Sequence, residues 1–209
     1  DLTDAFCRAP HQKIVDALTR LGVPSYIIRF VTDWLANRSG RVFVGGRLSH
    51  TRLLREGVPQ GSVLGPILFV CYMNSLLTLL TEEADRLKRA YPLETLEVGL
   101  SAYADDITIA VSAARPTVIT EVSQAMCTKL ASWAMEYGML LSSKTVATVF
   151  TKAPARRNVH FPNLQLGPLS LTVTHDTVTL LGVRLDTHLN FEEHSKYLED
   201  ELRSRTKAL

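Results

Sequence analysis

The stretch VGLSAYADDITIAV, Val98–Val111, admits one β-hairpin register that keeps a clean face. With a two-residue turn at Ala104–Asp105, Tyr103 pairs with Asp106, Ala102 with Ile107, Leu100 with Ile109 and Val98 with Val111. The last three pairs are apolar, so this face packs on a core. Gly99, Ser101, Tyr103, Asp106 and Thr108 lie on the other face. A slip of one residue would turn every apolar side chain outward. The turn itself breaks a rule. Two-residue hairpin turns need positive φ and favour Asn-Gly, Asp-Gly or Gly-X, whereas Ala-Asp has no glycine. The expected strain is about 1–3 kcal/mol. Asp105 and Asp106 also repel, by on the order of 4 kcal/mol at about 4 Å and an effective dielectric near 20. Solvated turn residues are the plain reading. A divalent cation is the chemically sharper one, because Mg²⁺ takes oxygen ligands and is often held by one or two carboxylates plus substrate phosphates. A third carboxylate from elsewhere in the chain would allow a two-metal phosphoryl-transfer site.

Of the 209 residues, 46% are hydrophobic and 21% charged, enough for one sizeable core or two small ones. A net charge of +2 does not by itself select nucleic acid as a partner. Its distribution says more: Arg38, Arg41, Arg47, Arg52 and Arg55 fall in one segment that contains no acidic residue. Cys7, Cys71 and Cys127 are odd in number, far apart and form no CxxC pair. That usage fits a reducing intracellular compartment without a structural zinc. The longest apolar run, Ile67 to Leu80, is interrupted by Asn74 and Ser75 and is expected to be too short for a bilayer, so no membrane is expected. No secretory signal is visible. The start at Asp1 without methionine and the end inside a charged helical pattern are expected of a piece of a longer protein.

Along the chain, Ile14, Val15, Leu18 and Leu21 carry a helical period that Gly22 stops. Pro24 restarts a helix at its favoured first position, with Tyr26, Phe30, Val31 and Trp34 along it. RVFVGGRLSHTRLL reads as a hairpin turning at Gly45–Gly46. Gly65–Pro66 opens an apolar helix to about Leu80. Ile119, Val122, Met126, Leu130, Trp133 and Tyr137 form one face of a long helix ended by Gly138. The β-branched runs Thr145–Thr151, Leu171–Thr174 and Thr177–Arg184 read as strands, and Asn190–Leu209 as a charged helix. Without a regular βαβ rhythm, the expected class is α+β, an antiparallel sheet with helices packed on one face.

YADD at 103–106 resembles the catalytic hairpin of reverse transcriptases. GVPQGSVLGPILF at 57–69 resembles their second signature segment and DLTDAFCRAPH at 1–11 their first, and the three come in the family's order. The wording of the second segment, with LLGVRLDTHLNFEEH at 180–194, is most similar to non-LTR (LINE-type) retrotransposon enzymes. The resemblance implies a right-hand polymerase palm over 1–151, its fingers upstream, and the palm end and start of a thumb over 152–209.

It also implies roles by matched position. Asp1 matches the first metal-binding aspartate, with Asp105 and Asp106 as the other two, and the Leu2 carbonyl would also face a metal. Phe6 matches the aromatic steric gate under the sugar, and Gln60, Gly61 and Tyr103 match positions lining the nucleotide pocket. Lys144 in LSSKT matches a lysine near the departing pyrophosphate. The three carboxylates would hold two Mg²⁺ ions, with Mn²⁺ as a substitute. The arginines at 38, 41, 47, 52 and 55 would contact template or primer phosphates. Cys7 departs from the family, which usually carries aspartate there, and so a decayed copy stays open. The implied activity is template-directed DNA synthesis from RNA, with an RNA template, a DNA primer and deoxynucleoside triphosphates, in retrotransposon mobility and in the nucleus. A catalytically inactive nucleic-acid-binding relic, an intron maturase and an RNA-dependent RNA polymerase are the alternatives; an aromatic at Phe6 speaks against RNA synthesis. The 209-residue piece on its own is expected not to polymerise.

Overall fold

A computed structural model of the chain describes residues 1–151 and 159–207. It opens with β1 (Leu2–Thr3), the single turn α1 (Ala5–Arg8), α2 (His11–Arg20) and α3 (Ser25–Leu35). The period of α2 buries Ile14, Ala17 and Leu18, and Gly22 ends it at φ 72°. Pro24 stands one residue before α3 rather than inside it. The side of α3 that packs is also not the expected one. Val31 and Leu35 are buried, while Tyr26 and Phe30 are 72% and 58% exposed. Apolar residues surround this helix, and only one side meets the core.

A two-stranded arm follows: β2 (Ser39–Gly40), β3 (Phe43–Val44), β4 (Arg47–Leu48) and β5 (Arg52–Leu53). Gly45 and Gly46 have φ 56° and 78°, the two positive values a type I′ turn requires. All residues from Arg41 to Glu56 are exposed.

The central element is α4 (Leu64–Ala90). It runs ten residues beyond the expected end at Leu80 because the extension keeps Ala84 and Leu87 on the buried side. There the Glu83 carboxylate is gripped by Arg86 through Nη2 at 2.6 Å and Nε at 3.0 Å. At 27 residues, α4 is long and apolar enough to cross a bilayer by length and composition, which corrects the expectation drawn from the shorter run. In this fold it is a core helix: Phe69, Tyr72, Leu76 and Leu80 are fully enclosed by protein. α2 packs on it from one side and α5 (below) from another.

Next, β6 (Glu97–Tyr103) and β7 (Asp106–Ser112) form the hairpin. Its register is the expected one, from Val98↔Val111 through Tyr103↔Asp106. α5 (Pro116–Glu136) follows, with Pro116 in its first turn and Gly138 at φ 69° past its end. β6 packs against α4 and β7 against α5. Ring contacts then run through the core: Phe6 on Phe69 at 4.2 Å, Phe69 to Tyr72 at 6.0 Å, and Tyr72 to Trp133 at 5.7 Å. The buried Tyr72 hydroxyl donates to the Tyr137 carbonyl at 3.0 Å, so the polar end of this ring is satisfied.

The remaining elements are β8 (Leu140–Leu141), β9 (Ala147–Thr148), β10 (Leu164–Leu166), β11 (Leu169–Leu171), β12 (Val173–Thr174), β13 (Val178–Leu180), β14 (Val183–Leu185) and α6 (Glu192–Lys207). Three strand expectations change here. Only Ala147–Thr148 of the run Thr145–Thr151 is a strand, and Leu171–Thr174 is divided between β11 and β12. Thr177–Arg184 folds back on itself at Leu181 and Gly182, both at positive φ (47° and 85°), as a hairpin. Nor do the strands unite. Among the described residues they form seven two-stranded ladders, and one of these, β9 with β12, is parallel. Strands of two or three residues expose too little edge to recruit a third. The expected boundary after residue 151 adjoins 152–158, and with Ala208–Leu209 of the expected tail helix these lie outside the described residues.

Two predictions follow from local geometry. Ala104 sits at φ 53°, where an L-residue is strained by about 1–2 kcal/mol, whereas glycine's extra chain entropy costs about 0.5–1 kcal/mol. Ala104→Gly should therefore stabilise the protein by up to about 1 kcal/mol in urea unfolding, and a loss of stability would refute the strain. The second concerns Asp186, whose carboxylate accepts from the N–H groups of His188 at 3.0 Å, Asn190 at 3.1 Å and Phe191 at 2.6 Å. Burial raises this carboxyl, the three N–H groups outweigh it, and the result lies below the ordinary carboxylate value. A lowered folded value means stability that is present at neutral pH and lost as pH falls through it. Asp186→Ala should be less stable than the native chain at pH 7, with the gap closing as the native carboxyl protonates; a gap independent of pH would contradict this.

Candidate active site

The hairpin tip presents Tyr103, 68% exposed, with Asp105 half-buried and Asp106 exposed beside it. Among the described residues, no cation and no hydrogen-bond donor pairs with either carboxylate. Two carboxylates with no contact partner are held together by a strained turn on a hairpin whose other face is anchored to α4 and α5.

β1 brings the third aspartate to this tip. Leu2 pairs with Leu141 and is 2% exposed, and the Asp1 carbonyl accepts from the Ser142 N–H at 3.0 Å. Burial lowers the Asp1 amino group below its ordinary value, while the charges of Asp106 and Asp105 act to raise it. The backbone nitrogen of Asp1 therefore stands within electrostatic reach of both hairpin carboxylates. The same strand pairing carries Lys144 to this edge. Its N–H donates to Ser142 Oγ at 3.2 Å, and its side chain is exposed. Three carboxylates supply hard oxygen ligands, the donor type that suits Mg²⁺ or Mn²⁺. Among the described residues, however, no three His, Cys, Asp or Glu side chains close into a metal-binding group. The donor types nevertheless suit a divalent ion.

A backbone zipper joins 6–10 to 56–58. Val58 N–H donates to the Phe6 carbonyl at 2.8 Å, Gly57 N–H donates to the Ala9 carbonyl at 2.8 Å, and Pro10 bridges to Glu56. Gly57 is required twice over. Its φ is 82°, and a Cβ there would lie 2.5 Å from the Cys7 carbonyl oxygen. Phe6 is half-buried, its ring stacked on Phe69.

Beyond Val58 the chain turns outward. Gln60 and Gly61 are exposed, and Gly61 has φ 80° with open space around it, so its glycine serves conformation rather than room. Ser62 closes the turn, its Oγ donating to the Pro59 carbonyl at 2.7 Å and accepting from Gly65 N–H at 3.0 Å. A Cβ on Gly65 would lie 2.7 Å from that same Pro59 carbonyl. Sequence reasoning passed over Ser62, although a serine just before a helix start is a capping signal.

The five arginines divide. Arg38 is half-buried, donates to the Gly57 carbonyl at 3.3 Å and lies 5.8 Å from the centre of the Trp34 ring. Arg41 donates to Thr51 Oγ1 at 2.7 Å across the arm. Arg47, Arg52 and Arg55 are exposed, and among the described residues they form no ion pair. The sequence also gave no sign of His11, whose Nε2 reaches the Gly57 carbonyl at 3.0 Å.

Residues 1–185 match the family described as Reverse transcriptase (RNA-dependent DNA polymerase). The RNA-directed DNA polymerase from mobile element jockey of Drosophila funebris is 27% identical over 205 residues, covering 98% of this chain and 21% of the relative. Its counterpart in Drosophila melanogaster is 26% identical over 207 residues, with the same two coverages. A retrovirus-related Pol polyprotein from type-1 retrotransposable element R2 of Popillia japonica is 28% identical over 107 residues, 51% of this chain and 17% of that protein. The chain thus spans about a fifth of the length of the jockey relatives. With residues 1–185 matched, the chain belongs to the reverse transcriptase (RNA-dependent DNA polymerase) family.

Proposed function

We propose that this chain is the palm, with the start of the thumb in 152–209, of a non-LTR retrotransposon polymerase that copies an RNA template into DNA from a DNA primer. Its place of action would be the nucleus. The observation that carries the reading is the hairpin that sets Asp105 and Asp106 side by side at its tip, with the backbone nitrogen of Asp1 in electrostatic reach of both carboxylates.

In this reading Asp1, Asp105 and Asp106 would hold two Mg²⁺ ions, and the Leu2 carbonyl would lie alongside. Bound there, such ions supply activation of the primer 3′-hydroxyl and neutralisation of the triphosphate. The protein's own part is position. β6–β7 is fixed through its apolar face, so the two carboxylates it carries need little reorganisation. Lys144, exposed on the Asp1 edge, balances the leaving pyrophosphate. Phe6, its ring stacked on Phe69 at 4.2 Å, would gate the sugar, and Gln60, Gly61 and Tyr103 would contact the nucleotide. The exposed Arg47, Arg52 and Arg55 would take phosphates of template or primer, which position the duplex without reading its sequence. Arg41 and Arg38 have partners of their own within the protein.

Three substitutions test this in the full-length protein. Asp105→Asn and Asp106→Asn should each abolish primer extension while leaving template affinity within about twofold, since affinity comes mainly from phosphate contacts. Continued synthesis by both variants would falsify the metal assignment. For the gate, Phe6→Val should admit ribonucleotides while deoxynucleotide use falls modestly. Losing a half-buried ring costs part of the ~3–5 kcal/mol seen for full Phe truncations, so thermal unfolding is run alongside. A folded Phe6→Val that still rejects ribonucleotides would remove Phe6 from this role.

A further inference from the structure

We propose that His11 and Arg38 are positioning residues that set the nucleotide-pocket turn at Gln60–Gly61 through a shared grip on the Gly57 carbonyl; this rests on the polymerase reading above. The carbonyl receives His11 Nε2 at 3.0 Å and Arg38 Nη1 at 3.3 Å, both in part-buried surroundings. A carbonyl oxygen has two lone pairs, and here both are used by side chains from separate helical segments. The first stands at the start of α2, and the second just past α3, braced by Trp34.

The location gives the grip its consequence. The Gly57 N–H is already tied to Ala9, and Val58 N–H to Phe6. With its carbonyl also held, the whole Gly57 peptide environment is fixed one step before the chain swings out to Gln60 and Gly61. The far end of that swing is held separately, by Ser62 and the start of α4. The exposed turn is therefore suspended between two anchors, and the distance from Phe6 to Gln60 depends on the first of them. Acceptance of the carbonyl bond requires His11 to carry its proton on Nε2, which both the neutral Nε2–H tautomer and the imidazolium satisfy. Arg38 thereby differs in purpose from Arg47, Arg52 and Arg55.

The test uses His11→Leu, His11→Gln, Arg38→Met and the double variant His11→Leu/Arg38→Met in the full-length protein. His11→Gln keeps a donor and should behave as the native chain. His11→Leu and Arg38→Met should each raise the KM for deoxynucleotide by on the order of fivefold, the value of one ordinary hydrogen bond, with kcat changed less. The double variant should exceed the product of the two, because either donor alone still holds the carbonyl. Arg38→Met should leave the salt dependence of template binding unchanged, unlike loss of a phosphate contact. Amide hydrogen exchange over 57–62 should quicken in the double variant and not in His11→Gln. Unchanged exchange in the double variant, or a fall in kcat that tracks melting temperature at constant KM, overturns the proposal. If the native protein makes no DNA, the polymerase reading fails, and the exchange measurement alone still decides the grip.

Discussion

The close approach at Gly57 is the constraint on which the rest of the site depends. The chain passes so near the Cys7 carbonyl that a methyl group would lie 2.5 Å from its oxygen, and only a residue without a side chain, free to take φ 82°, can pass. That contact makes two segments far apart in the chain behave as one wall. Phe6, the Gln60–Gly61 turn and the start of α4 all take their positions from it. The wall has no continuous sheet behind it, so backbone hydrogen bonds of this zipper do the work that a broad sheet would do elsewhere.

The hairpin tip solves a different problem. Its carboxylates repel by on the order of 4 kcal/mol at contact distance, and Ala104 adds backbone strain. Both costs are local, and both are met by packing on the far face, where Val98, Leu100, Ile107, Ile109 and Val111 lie against the core. Strain confined to a tip, with regular patterning on either side, is the division expected between a functional site and the stability that supports it. α4 links the two halves: its Phe69 supports the ring of Phe6, and its further residues take the apolar face of β6.

Charge is distributed with similar economy. The arm at 39–53 projects arginines into solvent with no acid of its own, while the hairpin tip carries two acids and no base. Arg38 begins the same basic segment and yet is turned inward to the Gly57 carbonyl and Trp34. A run of like residues thus serves two ends, and sequence spacing does not separate them.

Much of this was legible from the chain alone. The register of 97–112, the Gly45–Gly46 turn and the helices of 11–20 and 116–136 are written in short-range periodicity and in glycines whose φ the turn demands. The three motif segments and their order identified the family, because close backbone approach and paired carboxylates need particular residues at particular spacings. What local pattern could not supply were the end of α4, the exposed side of α3, the break-up of the strands into separate ladders and the inward turn of Arg38. The partners of the Gly57 carbonyl lie 46 and 19 residues away from it. Periodicity reports how a residue relates to neighbours within a few turns, whereas a donor meets a distant acceptor only once the helices carrying them have packed. The residue types and local conformations were therefore determined by sequence, and the tertiary structure decided which of those side chains face the site, which support it and which remain free.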